Sequence, residues 1–339
     1  MKKVRLRDVA KAAGVSPATV DRVINHRPGV RPETVRRVEA EIDRLGYGRP
    51  AAAGATKAMP TAEPQVIEVL LPIGVSFFAQ AILAALQAEL GRAAPAGSRL
   101  AVTDLPSLET EAIIRALDDG SQGAGRVILM GLDSPEVRDA ILRRRDRGQR
   151  IVTLASSAVP LQGVAHVGID DFAAGRTAGA LMARMIGPDP APVHMLMGDL
   201  RARLYVERRA GFEQSMAMAR AVEVRRLGSG RDDPDRVHDL VAEFLSTTPG
   251  RIGLYIPGGA NVAAVRALSE ADRRDIVAIG HELTPANRAA LLAGHLTAVL
   301  AHDVDLLARR ALEAVLAPEP ITPLPLPIRI WLRENLPAE

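Results

Sequence analysis

Residues 5–47 constrain this chain more than any other stretch. Leu6, Val9 and Ala10 put an apolar stripe on a first short helix, and Gly14-Val15 supplies a tight turn. Ser16 is a good N-cap for a second helix, with Pro17 at its first position, where the missing N–H costs nothing. On that helix Val20, Val23 and Ile24 face inward, while Pro17, Ala18, Asp21 and Arg22 face out. A third helix is predicted from Pro32, with Val35, Val38, Ile42 and Leu45 at spacings of three and four. Gly46 ends it and Tyr47 closes the small core. Two short helices joined by a glycine turn, with a third behind them, make a helix-turn-helix unit whose exposed second helix can enter a DNA major groove.

The charge distribution agrees. Residues 1–50 carry twelve Lys/Arg against six Asp/Glu, a balance of +6, whereas the whole chain is only +3. Residues 51–339 therefore sit at −3, and the basic charge is concentrated where phosphates would be neutralised.

The order Leu6-x-Asp8-Val9-Ala10-x-x-Ala13-Gly14-Val15-Ser16-x-x-Thr19-Val20-x-Arg22-Val23-x-Asn25, followed by Val30, Thr34, Val38 and Leu45-x-Tyr47, closely resembles the LacI (lactose-repressor) family of bacterial transcription factors. The resemblance extends more weakly over the rest of the chain. It implies a homodimer, or a tetramer, that binds operator double-stranded DNA of two inverted half-sites. It also implies a sensor domain like a periplasmic sugar-binding protein and, with the outward face of the second helix, assigns the DNA contacts to Leu6, Ser16, Pro17, Ala18, Thr19, Asp21, Arg22, Asn25, Thr34 and Tyr47.

A chain of 339 residues, 47% of them apolar, is long enough for a globular sensor beyond the DNA module. It has no cysteine, so no disulfide and no thiolate metal site. Met-Lys-Lys-Val-Arg-Leu-Arg lacks the apolar core of a signal peptide, and no apolar run reaches the length of about 18 residues that spans a membrane. The expectation is a cytoplasmic protein with no membrane partner.

Residues 48–64, with Pro50, Ala51 to Ala53, Gly54, Pro60 and Pro64, read as a linker. In the resembled family this segment forms a hinge helix and wedges a leucine into the minor groove, which kinks the duplex. Here Thr56 or Lys57 stands where the leucine would fall, and Gly54 weakens a helix by about 1 kcal/mol relative to alanine.

From Val66 onward apolar strands alternate with helical stretches. The strands expected are 66–71, 100–102, 127–130, 151–154, 166–167, 193–197, 252–255 and 276–279, and the helices 78–90, 109–118, 134–147, 173–186, 207–219, 235–246, 261–270 and 285–293. This α/β alternation predicts doubly wound parallel sheets with ligand at the carboxyl ends of the strands. Its length exceeds one sheet, so two lobes are expected. By the resemblance the fold is of the periplasmic-binding-protein type I, and residues 65–333 form a two-lobed effector-binding and dimerisation domain. Lobe one would span about 65–163 and 303–317, and lobe two about 164–300 and 328–332.

A cleft between two such lobes holds a small polar ligand by aromatic stacking and hydrogen bonds. Phe77-Phe78 follows the first strand where the sugar-binding relatives carry a stacking pair, and aromatic residues are only 3% of this chain. Arg208, in Arg208-Arg209-Ala210-Gly211-Phe212, matches an Arg-x-x-Gly-Phe motif whose arginine reaches the effector; a guanidinium suits vicinal hydroxyls or a carboxylate. Glu282 follows a strand where relatives carry an effector-binding aspartate. Asn261 either faces the cleft or caps the helix behind it, and His302 sits at an inter-lobe crossing where a polar side chain often reaches the ligand. Ser156 completes the effector set. Asp170-Asp171 fits a family element that caps a helix. The chain departs from its relatives at Val75 (asparagine), Ala155-Ser156 (Asp-Arg) and Gly258-Gly259 (Asn-Asp). The sugar therefore cannot be copied from any relative.

No phosphate loop, no zinc-type histidine spacing and no Gly-x-Ser-x-Gly elbow is present. The reading assigns no catalytic residue, no metal and no cofactor, so the chain is not read as an enzyme. It is read as a repressor of carbohydrate uptake or catabolism genes whose effector is a monosaccharide or related polyol. A regulator sensing a sugar acid, cyclitol or nucleobase stays open, as does a DNA-binding protein with a vestigial sensor lobe. A transport solute-binding protein would have no use for residues 1–47.

Overall fold

The computed structural model describes residues 6–24, 34, 37, 38, 41, 63–107, 109–120, 124–131, 133–155, 160–187, 191–197, 202–219, 224–229, 233–258, 261–319 and 325–337. The chain divides into two compact units, Met1–Ala62 and Glu63–Glu339.

In the first unit α1 is Leu6–Ala13 and α2 is Pro17–Ile24. The turn between them ends α1 with a left-handed Gly14, φ 65°. Gly14 N–H donates to Lys11 O at 3.4 Å and Val15 N–H to Ala10 O at 3.0 Å, the pair of hydrogen bonds of a Schellman stop. Ser16 Oγ accepts from Thr19 N–H at 3.1 Å and caps α2. Val9, Ala10, Ala13, Val20, Val23 and Val38 are buried together, with Val15 packed against them. Thr34, Arg37, Val38 and Glu41 are helical; the remainder of the expected third helix and the linker through residue 62, where the resembled family has its hinge helix, lie outside the described residues.

The second unit carries two sheets. The first has the order β2-β1-β3-β4-β5, all parallel, from β1 (Val66–Leu71), β2 (Arg99–Asp104), β3 (Arg126–Leu129), β4 (Arg150–Leu154) and β5 (Ala165–Val167). The second has the order β11-β10-β9-β8-β6-β7, from β6 (Val193–Met197), β7 (Val224–Ser229), β8 (Ile252–Tyr255), β9 (Ile276–His281), β10 (Ala298–Ala301) and β11 (Arg329–Trp331). Among these strands only β11 runs antiparallel, against β10.

Helices cover both faces of each sheet, as parallel strands require. On the first, α3 (Phe77–Ala93) packs beside α11 (Val304–Leu316), and α4 (Thr110–Asp119) beside α5 (Pro135–Asp146). On the second, α6 (Asp171–Met185) pairs with α7 (Arg203–Ala219), while α8 (Pro234–Thr247), α9 (Asn261–Ala271) and α10 (Pro285–Ala293) line up on the other face. Alternation on β1 sends Ile67, Val69 and Leu71 toward α3 and α11, and Leu70 toward α4 and α5. Glu68 shares the latter face and is buried against Arg144 Nη2 at 2.6 Å.

Two strands escaped the sequence reading. β7 is an edge strand, Val-Arg-Arg-Leu-Gly-Ser, with too few apolar residues to announce itself, and β10 is only Ala-Val-Leu-Ala. Helix α7 starts at Arg203, earlier than the expected 207. The lobe boundary expected at 164 also moves: Ala165–Val167 pairs with β4 and completes the first sheet, so the chain crosses only after Val167. It returns between Ala301 and Val304, and crosses a third time before β11. Among the described residues no helix is long and apolar enough to cross a membrane.

Candidate functional site

The carboxyl ends of the parallel strands place the candidate residues. β8 ends at Tyr255 and β9 at His281, while Glu282 follows β9 and His302 follows β10. Their neighbours on α6 and α7 are Asp171 and Arg208.

Arg208 is 4% exposed. Its Nε donates to Asp171 Oδ1 at 2.7 Å and its Nη1 to the carbonyl of Pro257 at 2.6 Å. Burial opposes the guanidinium charge, but the charges of Asp171 and Glu282 outweigh it and hold the group above the usual arginine value. Sequence reading treated Asp171 as part of a helix cap. The cap is Asp170, whose Oδ1 accepts from Ala173 N–H at 2.8 Å, and Asp171 is the buried partner of Arg208.

The close approach of α6 and α7 makes that pairing geometric. A Cβ on Gly175 would stand 2.0 Å from Arg208 O, and one on Gly211 2.1 Å from Phe172 O. Only glycine lets the two backbones meet there. This explains the glycine of the Arg-x-x-Gly-Phe motif: it sets the depth at which Arg208 lies.

Behind Arg208, Phe212 stacks on Tyr255 with ring centroids 4.3 Å apart, and the Tyr255 hydroxyl meets His281 Nε2 at 2.8 Å. Burial raises the Tyr255 pKa above the ordinary phenol value. Burial, with the Arg208 charge, pushes His281 well below the ordinary imidazole range. Both are therefore neutral, hydrogen-bonding groups at physiological pH. Sequence reasoning missed them, although a polar residue ending a buried parallel strand is the signal that finds such positions.

Glu282 adopts a φ of 62°, a left-handed conformation that a non-glycine residue takes only under constraint. Its backbone is pinned by its N–H to Leu300 O at 2.8 Å and by Asn287 Nδ2, which donates to Glu282 O at 2.7 Å. The carboxylate straddles His302: Oε1 accepts from Nδ1 at 2.8 Å and Oε2 from the backbone N–H at 3.2 Å. Burial opposes ionisation here, yet the hydrogen bonds from His302, with the charge of Arg208 beyond, hold the carboxyl below its ordinary range. Asn261 donates through Nδ2 to His281 O at 2.8 Å, and its buried Oδ1 has no partner among the described residues.

On the first sheet, Ser76 caps α3 through Ala79 N–H, which presents Phe77 and Phe78 at the carboxyl end of β1. Phe78 is half-buried, its ring 5.2 Å from the His302 imidazole. Phe77 is 54% exposed. Ser156 lies outside the described residues. The structure therefore joins Phe78, His302, Glu282, Asn261 and Arg208 into one neighbourhood through side chains of both lobes.

In the N-terminal unit Pro17, Ala18 and Arg22 are exposed on α2, and Thr19 and Asp21 are half-buried. Leu6 opens α1 with its side chain not described, and Thr34 is helical and half-buried. Asn25 and Tyr47 lie outside the described residues. Among the described residues no group of three His, Asp or Glu is arranged to hold a metal.

Comparison with known proteins follows this division. Residues 5–49 match the model of the bacterial regulatory proteins, lacI family, and residues 105–317 the model of a periplasmic binding protein domain. The chain is 26% identical over 220 residues to the ribose import binding protein RbsB of Escherichia coli, covering 64% of this chain and 73% of that one. Over 46 residues it is 56% identical to the transcriptional regulator MalR of Streptomyces coelicolor, covering 14% of this chain and 13% of that one. The solved structure of the transcriptional regulator CelR in complex with cellobiose shares the fold, with a TM-score of 0.63 at 21% identity over 98% of this chain and 99% of that one. The chain thus belongs to the periplasmic binding protein domain family and carries the helix-turn-helix of the lacI family, which makes it a DNA-binding transcription regulator.

Proposed function

We propose that this regulator is a repressor of carbohydrate uptake or catabolism genes, released from or fixed to its operator by a neutral polyhydroxylated effector. It acts in the cytoplasm as a homodimer on inverted half-sites, with α2 of each copy in a major groove. Pro17, Ala18, Asp21 and Arg22 meet base edges and phosphates there, with Ser16, Thr19 and Asn25 beside them.

The observation that supports the effector reading is the group of polar side chains around the carboxyl end of the second sheet, buried Arg208 with half-buried Asn261 and Glu282, the last joined through His302 to Phe78. Among the described residues, the bonds made by Arg208 use its Nε and Nη1 and not its Nη2. Asn261 Oδ1 is a buried acceptor without a partner among the described residues. A carboxylate has acceptor capacity beyond the two bonds from His302. Hydroxyls vicinal on one ring satisfy these groups together, and an aromatic edge covers the ring's apolar face. The ribose and cellobiose named for two relatives supply the first compounds to try.

The test is a thermal-shift screen of D-ribose, cellobiose, other monosaccharides, polyols and sugar acids on the full chain, followed by calorimetry on a hit. Glu282→Gln and Arg208→Lys are each expected to weaken binding tenfold or more, because each leaves a ligand hydroxyl unpaired. Full affinity in both variants would place the site elsewhere. A charged sugar acid binding better than every neutral polyol would replace the proposed ligand class.

A further inference from the structure

We propose that His302 is a positioning residue that ties the carboxylate of Glu282 to the first inter-lobe crossing of the chain, and that it does not touch the effector. The imidazole is 1% exposed, and both of its nitrogens are already used. Nδ1 lies 2.8 Å from Glu282 Oε1, and Nε2 accepts the backbone N–H of Ile169 at 3.3 Å. A backbone N–H can only donate, so Nε2 carries the lone pair. The ring proton therefore sits on Nδ1, where the carboxylate accepts it. One ring orientation and one tautomer satisfy both ends, and turning the ring to meet a ligand would break both bonds.

Ile169 belongs to the Gly168–Asp170 crossing between the two sheets, and His302 itself lies in the second crossing. The third is attached to the same point. Leu326 N–H donates to Gly168 O at 2.8 Å, Leu326 bridges Ile169, and Arg329 Nη2 donates to Asp303 Oδ2. Any relative movement of the lobes rotates backbone dihedrals in these three segments. His302 is the side chain that joins two of them to Glu282, while Phe78 of the first lobe lies against its ring. A ligand that draws the Glu282 carboxylate away removes the acceptor that orients the ring, and the ring then releases Ile169. The regulatory use of this link rests on Glu282 being an effector group, but the link itself is testable with no ligand present.

The experiment follows amide hydrogen exchange at Ile169 in the full chain, resolved by fragmentation mass spectrometry, with Leu254 in the core of β8 as the reference amide. Glu282→Ala is expected to speed Ile169 exchange at least tenfold, although the Ile169 N–H donates to the ring and not to Glu282. His302→Asn, which keeps a donor near the Nδ1 position and loses the Nε2 acceptor, should do the same. His302→Gln, whose side-chain oxygen reaches the Nε2 position, should keep Ile169 protected and make it indifferent to Glu282→Ala. Should Glu282→Ala also speed Leu254, Glu282→Met, which is close in volume and carries no oxygen acceptor, takes its place with the same result required. Unchanged Ile169 exchange in either the Glu282 variant or His302→Asn, or equal loss in His302→Gln and His302→Asn, overturns the proposal. A failed ligand screen would leave this result standing.

Discussion

Asp171 and Arg208 form a buried ion pair, Nε to Oδ1 at 2.7 Å, between two helices that meet backbone to backbone. Breaking one side of such a pair leaves an uncompensated charge in the interior, which costs about 3–5 kcal/mol. Asp171→Ala is therefore expected to lower the stability of the effector unit by that order, read as a shift of the urea midpoint. A shift near that of an exposed acid such as Asp305 would show that Arg208 finds another partner.

Packing at Gly175 and Gly211 should be as sensitive as the pair it positions. Alanine at either place forces α6 and α7 apart, because its Cβ meets a carbonyl oxygen at 2.0 or 2.1 Å. Both variants are expected to melt well below the parent. Gly91, in α3, serves as the contrast, because a methyl group added there would meet nothing within 4 Å. Gly91→Ala should raise stability by about 0.5–1 kcal/mol, since glycine is the poorer helix former. A Gly175→Ala variant that melts with the parent would mean that the helices slide freely.

Acid should destabilise the effector unit through its buried histidines. Burial lowers the pKa of His281 strongly, and desolvation also lowers those of His166 and His194. Below an unfolded value of about 6.5 the unfolded chain binds protons that the folded chain does not, so stability falls as pH drops through that window. His238 has the opposite sign. It is hydrogen-bonded to Glu270 at 2.7 Å and its pKa is raised, so its contribution is full below the unfolded value and lost as pH rises through the folded one. Melting temperatures between about pH 5 and 8 check the sum, with about 6.5 as the expected onset. His281→Gln should flatten the acid limb, and an unchanged slope would assign it to other groups.

At the DNA end, Arg22 is exposed on α2, and its fork can pair with guanine O6 and N7. Arg22→Ala is expected to cost about 1–3 kcal/mol on the specific operator and less on random duplex. Equal losses would make Arg22 a phosphate contact only. Asp21→Ser should tighten binding to random DNA and shrink the specific to non-specific ratio, both measured at one salt concentration. No change in either affinity would remove Asp21 from operator choice.

Much of this was legible in the residues, for physical reasons that also mark where legibility stopped. Gly14, Ser16 and Pro17 act through local backbone geometry, so α1, the turn and α2 could be read from adjacent letters. The central parallel strands announced themselves because both of their faces are buried. β7 did not, because an edge strand tolerates Arg225 and Arg226. In the site, Arg208 was found from its motif, Glu282 from its place after a strand and His302 from its place at a crossing, but not what each one holds. Asp171 is 37 residues from Arg208, and Ile169 is 133 from His302. Such pairings follow from how two helices and three crossings meet, which no local pattern encodes. The glycines at 175 and 211 were readable as letters, whereas the close approach that demands them was visible only in the packed helices.

The order in which the first sheet is completed bears on how the protein is made. Its last covering helix, α11, comes from residues 304–316, after every strand of the second sheet except β11. A ribosome therefore releases β1 to β5 and α3 long before α11, the second of the two helices that cover this face, and the second lobe emerges in between. Apolar side chains such as Ile67, Val69 and Val152 must wait, only partly covered by α3, through the synthesis of more than a hundred further residues. Neither lobe is a unit that can be finished, cut out or exchanged along the chain. Truncation anywhere before Leu316 should leave both halves dependent on chaperones, however complete the second sheet already is.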